Sequence, residues 1–374
     1  MMPLGMHVLL PSIPAMAGEF NTSVATMQAT VTVYMVAVAI GQIVYGPVSD
    51  RYGRKPPLLT GLAIYFCGSL ITAFAPTTEI LFLGRIVQGA GGCVGMALGR
   101  AMVRDVYSGE RAVNMLAQVS MALMVVPALA PTIGGLLLAW FDWQMPFFVL
   151  SGMTVIMFIA CARLAETHGG GLRPPGFAAM LADFWTLIRL PAFAAPAFAV
   201  ALPSAGFWAF MSLAPAMLRD SLHLPPEHFG YYFWLSPAAW FCGSFLVSRI
   251  TPRLGGERTA ILAAAISTLA AVAALLLFIG GHPSALLLFV VLAIANGTQA
   301  LAVPNLQVRL LSADPRLIGA ASGLSGFLQM MSGAAATLIT GQFYDGTGLP
   351  GTAAMAVAMA ATLVVLLVAR APRT

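Results

Sequence analysis

The sequence predicts an all-α polytopic membrane protein with about twelve transmembrane helices. Of its 374 residues, 59% are hydrophobic and only 8% are charged, and the mean hydropathy is +0.89. Soluble domains carry about 25% charged residues, so this composition excludes a water-soluble domain of this size. Apolar runs of about 20 residues are long enough to cross the hydrocarbon layer as helices. No alternation typical of a transmembrane β-barrel competes with this pattern.

Twelve apolar runs are expected to form the spans. Their expected bounds are 1–16, 27–48, 57–75, 79–103, 113–139, 144–164, 191–217, 230–250, 257–279, 284–308, 318–343 and 351–369. The first run is shorter than a full span and contains Pro3, Pro11 and Pro14. We therefore expect a first helix that lacks its cytoplasmic half, and mass spectrometry of the native N-terminus tests whether the chain starts at Met1.

Basic residues predict the orientation of the spans. Lys and Arg lie at the exits of even-numbered spans, and Arg219 is the only basic residue at an odd-numbered exit. Cytoplasmic loops carry an excess of Lys and Arg, so both termini are predicted to be cytoplasmic. The net charge of +5 then reflects topology and does not indicate nucleic-acid binding, because no basic cluster lies on a soluble domain.

A longer segment at residues 165–190 separates two sets of six spans. Its Gly169–Gly171 and Pro174–Pro175 runs are typical of a flexible linker, and an amphipathic stretch at 180–188 is expected to lie on the membrane surface. The predicted halves are 1–164 and 191–374. Two six-span halves are a common transporter plan, with the substrate site at the midplane between them.

Metal, nucleotide and enzyme chemistry find no support in the residue pattern. The four cysteines fall in four different spans, and His, Asp and Glu are too scattered for a metal site. The sequence contains no P-loop, so ATP drive is not expected. A polytopic membrane enzyme would need an acid/base or metal cluster at one membrane face, and none is recognisable. We therefore predict a protein without metal or cofactor that is not an enzyme.

The charged loop between spans two and three is the most informative segment. Asp50 and Arg54 share one face if the helix continues into the turn. Gly46 allows a neighbouring helix to approach, and Gly53 allows a positive φ. Arg54 is expected to pair with Asp105 at the end of span four. Such contacts would latch the two halves closed; the alternative is a loop that only fixes topology.

This loop resembles the signature of the major facilitator superfamily, G-x-x-x-D-R-x-G-R-K. The matching residues are Gly46, Asp50, Arg51, Gly53, Arg54 and Lys55. The longer run from Tyr34 to Arg54 looks like the Bcr/CflA branch of twelve-span drug:proton antiporters. The resemblance continues in Gly84–Gly89, which is similar to the R-x-x-Q-G motif of span four, and in Ala101–Asp105 at the exit of that span.

Span five carries a further resemblance, to the antiporter motif. The run Pro127–Gly135 is similar to that motif, and Trp143 and Phe147 are similar to the W-R-x-x-F that follows it. The resemblance implies a bent helix that seals the cavity. The residues that it implies for this role are Pro127, Pro131, Gly134 and Gly135.

The resemblance implies the major facilitator fold and secondary transport by alternating access in the bacterial inner membrane. It implies proton-driven export of small drug-like or amphipathic molecules by a monomer whose only other partner is the lipid bilayer. Two alternatives stay open: export of a metabolite such as an amino acid or sugar, and a facilitator without proton coupling. The implied cytoplasmic gate consists of Gly46, Asp50, Arg51, Gly53, Arg54, Arg104 and Asp105.

Few polar residues lie at membrane depth, where ionisable groups are costly and usually functional. Arg85 and Gln88 share one face of span four and are predicted to line the cavity, with Tyr34 added by the resemblance. The alternative is an arginine that extends to the membrane surface. In the second half, Asn296, Gln299 and Gln329 mark either a cavity face or interhelical hydrogen bonds.

The position at which the resemblance implies an acidic proton carrier is occupied by a histidine. Where the Bcr/CflA pattern usually carries an Asp, this chain has His7, and all 13 acidic residues lie at span ends or in loops. Histidine titrates near neutral pH. Three alternatives stay open: His7 carries the coupling proton, His7 only forms a hydrogen bond in the cavity, or the protein is not coupled to protons.

Overall fold

The computed structural model describes residues 1–107, 115, 126, 129–167, 177–225, 228–281, 284–314 and 317–370, and these are helical with no strand among them. The helices are α1 (Met2–His7), α2 (Ile13–Glu19), α3 (Val24–Tyr52), α4 (Lys55–Ala73), α5 (Thr78–Gly92), α6 (Val94–Val106), α7 (Leu129–Trp140), α8 (Met145–Ala162), α9 (Phe177–Arg189), α10 (Pro191–Asp220), α11 (Phe229–Phe233), α12 (Leu235–Leu254), α13 (Gly256–Ile279), α14 (Ala285–Leu311), α15 (Ile318–Gln342) and α16 (Leu349–Arg370). In the part of the chain that the structure describes, eight helical segments are long and apolar enough to cross a membrane. The prediction of an all-α membrane protein is confirmed.

Two predicted spans are interrupted. The first consists of α1, a 3₁₀ turn at Leu10–Ser12 and α2, because Pro11 and Pro14 lack the N–H that a continuous helix needs. Span four divides into α5 and α6 at Cys93. Of span five, most residues between 108 and 128 lie outside the described part of the chain, which resumes with α7.

The chain packs as two units, residues 1–177 and 178–374. In the first unit α5 packs against α3 and α4, and α4 also packs against α8. In the second unit α14 packs against α12 and α13, and α13 also packs against α16. The same contacts thus recur between the corresponding helices of each unit. The boundary falls at residue 177, and the segment predicted as a linker ends in α9, which belongs to the second unit.

Small residues explain how closely the helices of each unit approach. A Cβ atom on Gly68 of α4 would overlap the backbone of Gln88 on α5. In the second unit, a Cβ on Gly243 of α12 would overlap the carbonyl of Gly297 on α14. By contrast, no atom lies within 4 Å of a Cβ built on Gly46. Among the described residues of the first unit, no neighbouring helix makes the close approach predicted for Gly46.

Candidate transport site

The turn between α3 and α4 is shaped by one glycine. Helix α3 runs to Tyr52, and Gly53 then takes φ +87° and ψ 172°, a conformation that is essentially restricted to glycine. Arg54 follows as the N-cap residue of α4. The shared face predicted for Asp50 and Arg54 required the helix to continue through the turn, and it does not. The turn still brings the two side chains together.

Arg54 is the centre of an ion-pair network at this turn. Its Nη1 donates to Asp50 Oδ1 and to Ser49 Oγ, each at 2.6 Å, and its Nε donates to Asp105 Oδ2 at 2.9 Å. Burial lowers the pKa of Arg54, but the hydrogen bonds to Asp105 and Asp50 outweigh this effect and raise the pKa above its usual value. Arg54 therefore stays charged at every physiological pH.

The expected pair of Arg54 with Asp105 is present, but it does not join the two halves. Both residues belong to the first unit, so the pair ties the α3–α4 turn to the end of α6. That these contacts latch the two halves closed stays a prediction.

Glu166, in the segment predicted as a linker, completes the network. Its Oε1 accepts the backbone N–H of Arg54 at 2.8 Å, and its Oε2 accepts that of Lys55 at 3.0 Å. The carboxylate thus caps the first turn of α4, where the helix dipole favours a negative charge. Thr167 donates to Asp105 Oδ2 at 3.3 Å. The end of α8 is thereby bound to the same turn.

The two remaining basic residues of the predicted gate behave differently. Arg51 is exposed, and its guanidinium lies 5.2 Å from the centre of the Tyr52 ring. The side chain of Arg104 lies outside the described part of the chain. Only Asp50, Arg54 and Asp105 of the predicted gate are therefore brought into direct contact.

Arg85 forms a buried polar core inside the first unit. Its side chain is 0% exposed, and its guanidinium lies 4.2 Å from the centre of the Tyr34 ring. Nη1 donates to Gln88 Oε1 at 2.5 Å, and Nε donates to the carbonyl of Thr30 at 3.5 Å. Nη2 is buried and has no acceptor among the described residues. Arg85 does not extend to the surface, so that alternative is wrong.

This core is held in place by neutral groups. Gln88 Nε2 donates to Ser69 Oγ on α4 at 2.8 Å, and the Tyr34 hydroxyl donates to the carbonyl of Met2 at 3.1 Å. Within the described residues, Arg85 forms no ion pair with a carboxylate. A buried cation with no anionic partner is costly.

His7 lies on the short helix that reaches this core. It is buried at the end of α1, and its Nδ1 donates to the carbonyl of Pro3 at 2.8 Å. The same helix supplies the Met2 carbonyl to Tyr34. The structure therefore places His7 and Tyr34 on packed neighbouring helices.

The second unit contains a neutral polar core on α14. Asn296 Nδ2 donates to Ser236 Oγ at 2.5 Å, and Gln299 Nε2 donates to Ser267 Oγ at 3.0 Å. Gln299 Oε1 is buried and has no donor within the described ranges. Gln329 does not join them, because its amide donates to Ser325 within its own helix α15. The serines of both cores were missed, since a single serine in an apolar run gives no sequence signal.

The antiporter motif is only partly described. Pro127 lies outside the described residues, whereas Pro131, Gly134 and Gly135 lie in α7. A Cβ on Gly134 would overlap the carbonyl of Val8, so this glycine lets α7 pack directly on the first segment. No group of His, Cys, Asp and Glu in the described residues has the arrangement of a metal site.

Comparison with known proteins decides the family. Residues 1–337 match the Major Facilitator Superfamily. This chain belongs to the major facilitator superfamily. It is a multi-pass membrane protein of a family of transporters, as the charged loop and the polar span residues predicted.

Relatives and solved structures agree with this family. The bicyclomycin resistance protein homolog of Haemophilus influenzae is 28% identical over 346 residues, covering 89% of this chain and 84% of the relative. The chloramphenicol resistance protein of Pseudomonas aeruginosa is 30% identical over 258 residues, 67% of this chain and 60% of the relative. The crystal structure of the nucleoside transporter NupG has a TM-score of 0.76 at 13% identity and covers 99% of this chain and 97% of its own, a likeness of fold alone.

Proposed function

We propose that this chain exports small drug-like or amphipathic molecules in exchange for protons. It would do so by alternating access in the bacterial inner membrane, with both termini cytoplasmic and without a cofactor. The observation that carries the proposal is Arg85, a fully buried guanidinium whose Nη2 has no acceptor and which has no carboxylate partner among the described residues. A charge in that position is maintained only where it acts on a ligand or a proton.

The relatives support the export of drugs. One relative is a bicyclomycin resistance protein homolog, and another is a chloramphenicol resistance protein. The aromatic ring of Tyr34 beside Arg85, with Phe147 5.9 Å from the same guanidinium, suits an amphipathic molecule that offers both a polar group and an apolar surface.

His7 is the proposed carrier of the coupling proton. It is buried on the helix that contacts Tyr34, and its side chain is the type that exchanges protons near neutral pH. All 13 acidic residues lie at predicted span ends or in loops, so no carboxylate competes with His7 for this role at membrane depth.

The experiment is substrate-induced proton release in everted membrane vesicles. A respiratory pH gradient is followed with a quenched dye while single drugs, sugars and amino acids are added. We expect one or more drugs to release protons in wild type and none in His7→Ala. The matched control is His223→Asn, which changes an exposed histidine at which φ is +54°, and we expect it to behave as wild type.

The possible outcomes separate the parts of the proposal. Proton release that persists in His7→Ala would remove His7 as the carrier but would leave antiport intact. Labelled drug that accumulates without proton release would show transport without proton coupling. If folded wild type responds to no drug, the drug-export proposal fails.

Export of a polar metabolite is the second candidate. It is favoured by the neutral core of the second unit, in which none of the described residues donates to the buried Gln299 Oε1. A hydroxyl or amino group of a sugar or amino acid is a donor of the kind that this oxygen lacks. A response to sugars or amino acids and not to drugs would establish this candidate.

A further inference from the structure

The first unit has an apolar cleft on its surface between α3 and α4, with α5 as its floor. Its volume is about 600 Å³, and its walls include Ile40, Val44, Tyr52, Pro56 and Ile86. Of its thirteen lining residues, only Tyr45, Tyr52 and Thr60 carry a polar side-chain atom. Four of the lining residues are exposed: Ile40 53%, Val44 47%, Tyr52 60% and Ile86 45%.

The length of the cleft corresponds to one leaflet of a bilayer. Its wall on α3 extends from Ala37 to Tyr52, which at 1.5 Å per residue is roughly 22 Å. Half of a bilayer, with its headgroup region, measures about 20–22 Å. The cleft therefore follows one leaflet from near the midplane to the polar surface, which is the path of a single lipid acyl chain.

Two basic side chains lie at the polar end of the cleft. Arg51 is exposed and stacks on Tyr52, itself a wall residue, and Lys55 precedes the wall residue Pro56. Neither side chain forms an ion pair within the described residues.

The acidic groups nearby are already engaged. Asp50 and Asp105 bind the Arg54 guanidinium, and Glu166 accepts the backbone N–H groups of Arg54 and Lys55. The cations that remain at the mouth of the cleft are therefore complementary to a phosphate group.

We propose that the cleft holds one acyl chain of an anionic phospholipid and that Arg51 and Lys55 bind its phosphate headgroup. The apolar walls exclude water from the chain, as in any burial of hydrocarbon. Because Arg51 and Lys55 flank Arg54 in the same turn, the bound lipid also orders the segment that carries the Arg54 network.

The test is lipid retention by the purified full-length protein, measured by native mass spectrometry. Dioleoyl phosphatidylglycerol is compared with dioleoyl phosphatidylcholine, which has the same chains and no net charge. A basic residue near an anionic lipid surface contributes about fivefold to binding. We expect wild type to prefer phosphatidylglycerol roughly 25-fold and the double variant Arg51→Gln with Lys55→Gln to lose this preference.

Three further variants separate the headgroup from the acyl chain. Arg51→Lys with Lys55→Arg keeps both charges and should keep the preference, which excludes a folding defect. Val44→Trp fills the exposed wall and should reduce retention of both lipids alike. Arg249→Gln is the matched control, because Arg249 stacks on Phe245 at 4.5 Å near the corresponding end of α12, and it should retain the wild-type preference.

Several results would overturn the proposal. An unchanged preference in the double variant, or an equal loss in Arg249→Gln, would show that surface charge in general attracts the lipid. Unchanged retention in Val44→Trp would place the acyl chain elsewhere. If Val44→Trp weakens the binding of a drug from the vesicle panel but leaves lipid retention unchanged, the cleft binds a drug.

Discussion

In the first unit, Gln88 donates to Ser69 on the neighbouring helix at 2.8 Å, and in the second unit Gln299 donates to Ser267 at 3.0 Å. Three residues earlier on the same helices, the first unit has Arg85 and the second has Asn296. The two units thus share one polar arrangement, α5 against α4 and α14 against α13, and differ by a single charge. The difference indicates that the first unit provides the ionic chemistry and the second provides neutral hydrogen bonds.

The turns that follow span two and span eight show the same division. Gly53 takes φ +87° and ψ 172°, and Gly255 takes φ +81° and ψ 152°, so both turns have the same backbone conformation. The first turn carries Arg54 in contact with Asp50, Asp105 and Glu166. At the second, Asn305 donates to Thr251 at 3.1 Å, and the exposed pair of Arg309 with Glu257 is 3.8 Å apart. The common backbone therefore carries a charged network in one unit and a mainly neutral one in the other.

The largest expected effect comes from removing the charge that distinguishes the cores. Hydrogen bonds to charged groups are worth about 1.5–3 kcal/mol and neutral ones about 0.5–1.5 kcal/mol. We expect Arg85→Asn to lower substrate counterflow roughly 10–100-fold and Asn296→Ala to lower it roughly 2–10-fold. Counterflow in proteoliposomes at equal protein content measures both. Equal losses of counterflow in the two variants would contradict the claim that the first unit provides the ionic chemistry and the second provides neutral hydrogen bonds.

The second largest expected difference is in the stability lost when the ion pair of each turn is broken. Arg54 and Asp105 are mostly buried, with 11% and 18% of their side chains exposed, whereas Arg309 and Glu257 are 43% and 42% exposed. In Asp105→Asn the largely buried Arg54 loses one of its two carboxylate partners and keeps Asp50. This loss costs more than breaking an exposed pair, which contributes at most about 1 kcal/mol. Thermal unfolding in detergent should show a loss of about 2 kcal/mol for Asp105→Asn and little change for Glu257→Gln. A small shift in both would show that the Arg54 network does not stabilise the fold.

The two glycines test how far the backbone repeat extends. A residue with Cβ is strained by about 1–3 kcal/mol in this conformation, so Gly53→Ala and Gly255→Ala should destabilise the protein to the same extent. Gly46→Ala is the control, because it lies inside a helix with open space around it and should not destabilise. If only Gly53→Ala destabilises the protein, then only the turn that carries Arg54 requires the backbone conformation seen at its glycine.

The smallest expected effect is at the capped helix. Glu166 accepts two backbone N–H groups at the start of α4, whereas α13 has no side-chain cap. Loss of a cap costs about 1 kcal/mol, so Glu166→Ala should lower thermal stability by this amount. Glu19→Gln changes an exposed carboxylate at the end of α2 and should have no effect. Equal behaviour of the two variants would remove Glu166 from the network.

The sequence was most informative where one local pattern decides the outcome. Apolar length predicted the helices, and the family resemblance together with opposite charges predicted the Arg54 and Asp105 pair. Glu166 lies 112 residues from Arg54, so no local pattern connects them. Ser69 and Ser267 look like ordinary small residues until helix packing brings them to Gln88 and Gln299. Gly46 was interpreted as a close contact because glycine often permits one, but whether a neighbour is present depends on tertiary packing.

The most direct test of the account is respiration-driven accumulation of a labelled drug in everted vesicles, with wild type beside Arg85→Asn and Asp50→Asn. The account predicts accumulation in wild type, a loss of roughly 10–100-fold in Arg85→Asn, and a loss in Asp50→Asn because the α3–α4 turn then lacks one partner of Arg54. Accumulation at the wild-type rate in Arg85→Asn, with equal amounts of folded protein, would contradict the claim that the charged core of the first unit drives transport.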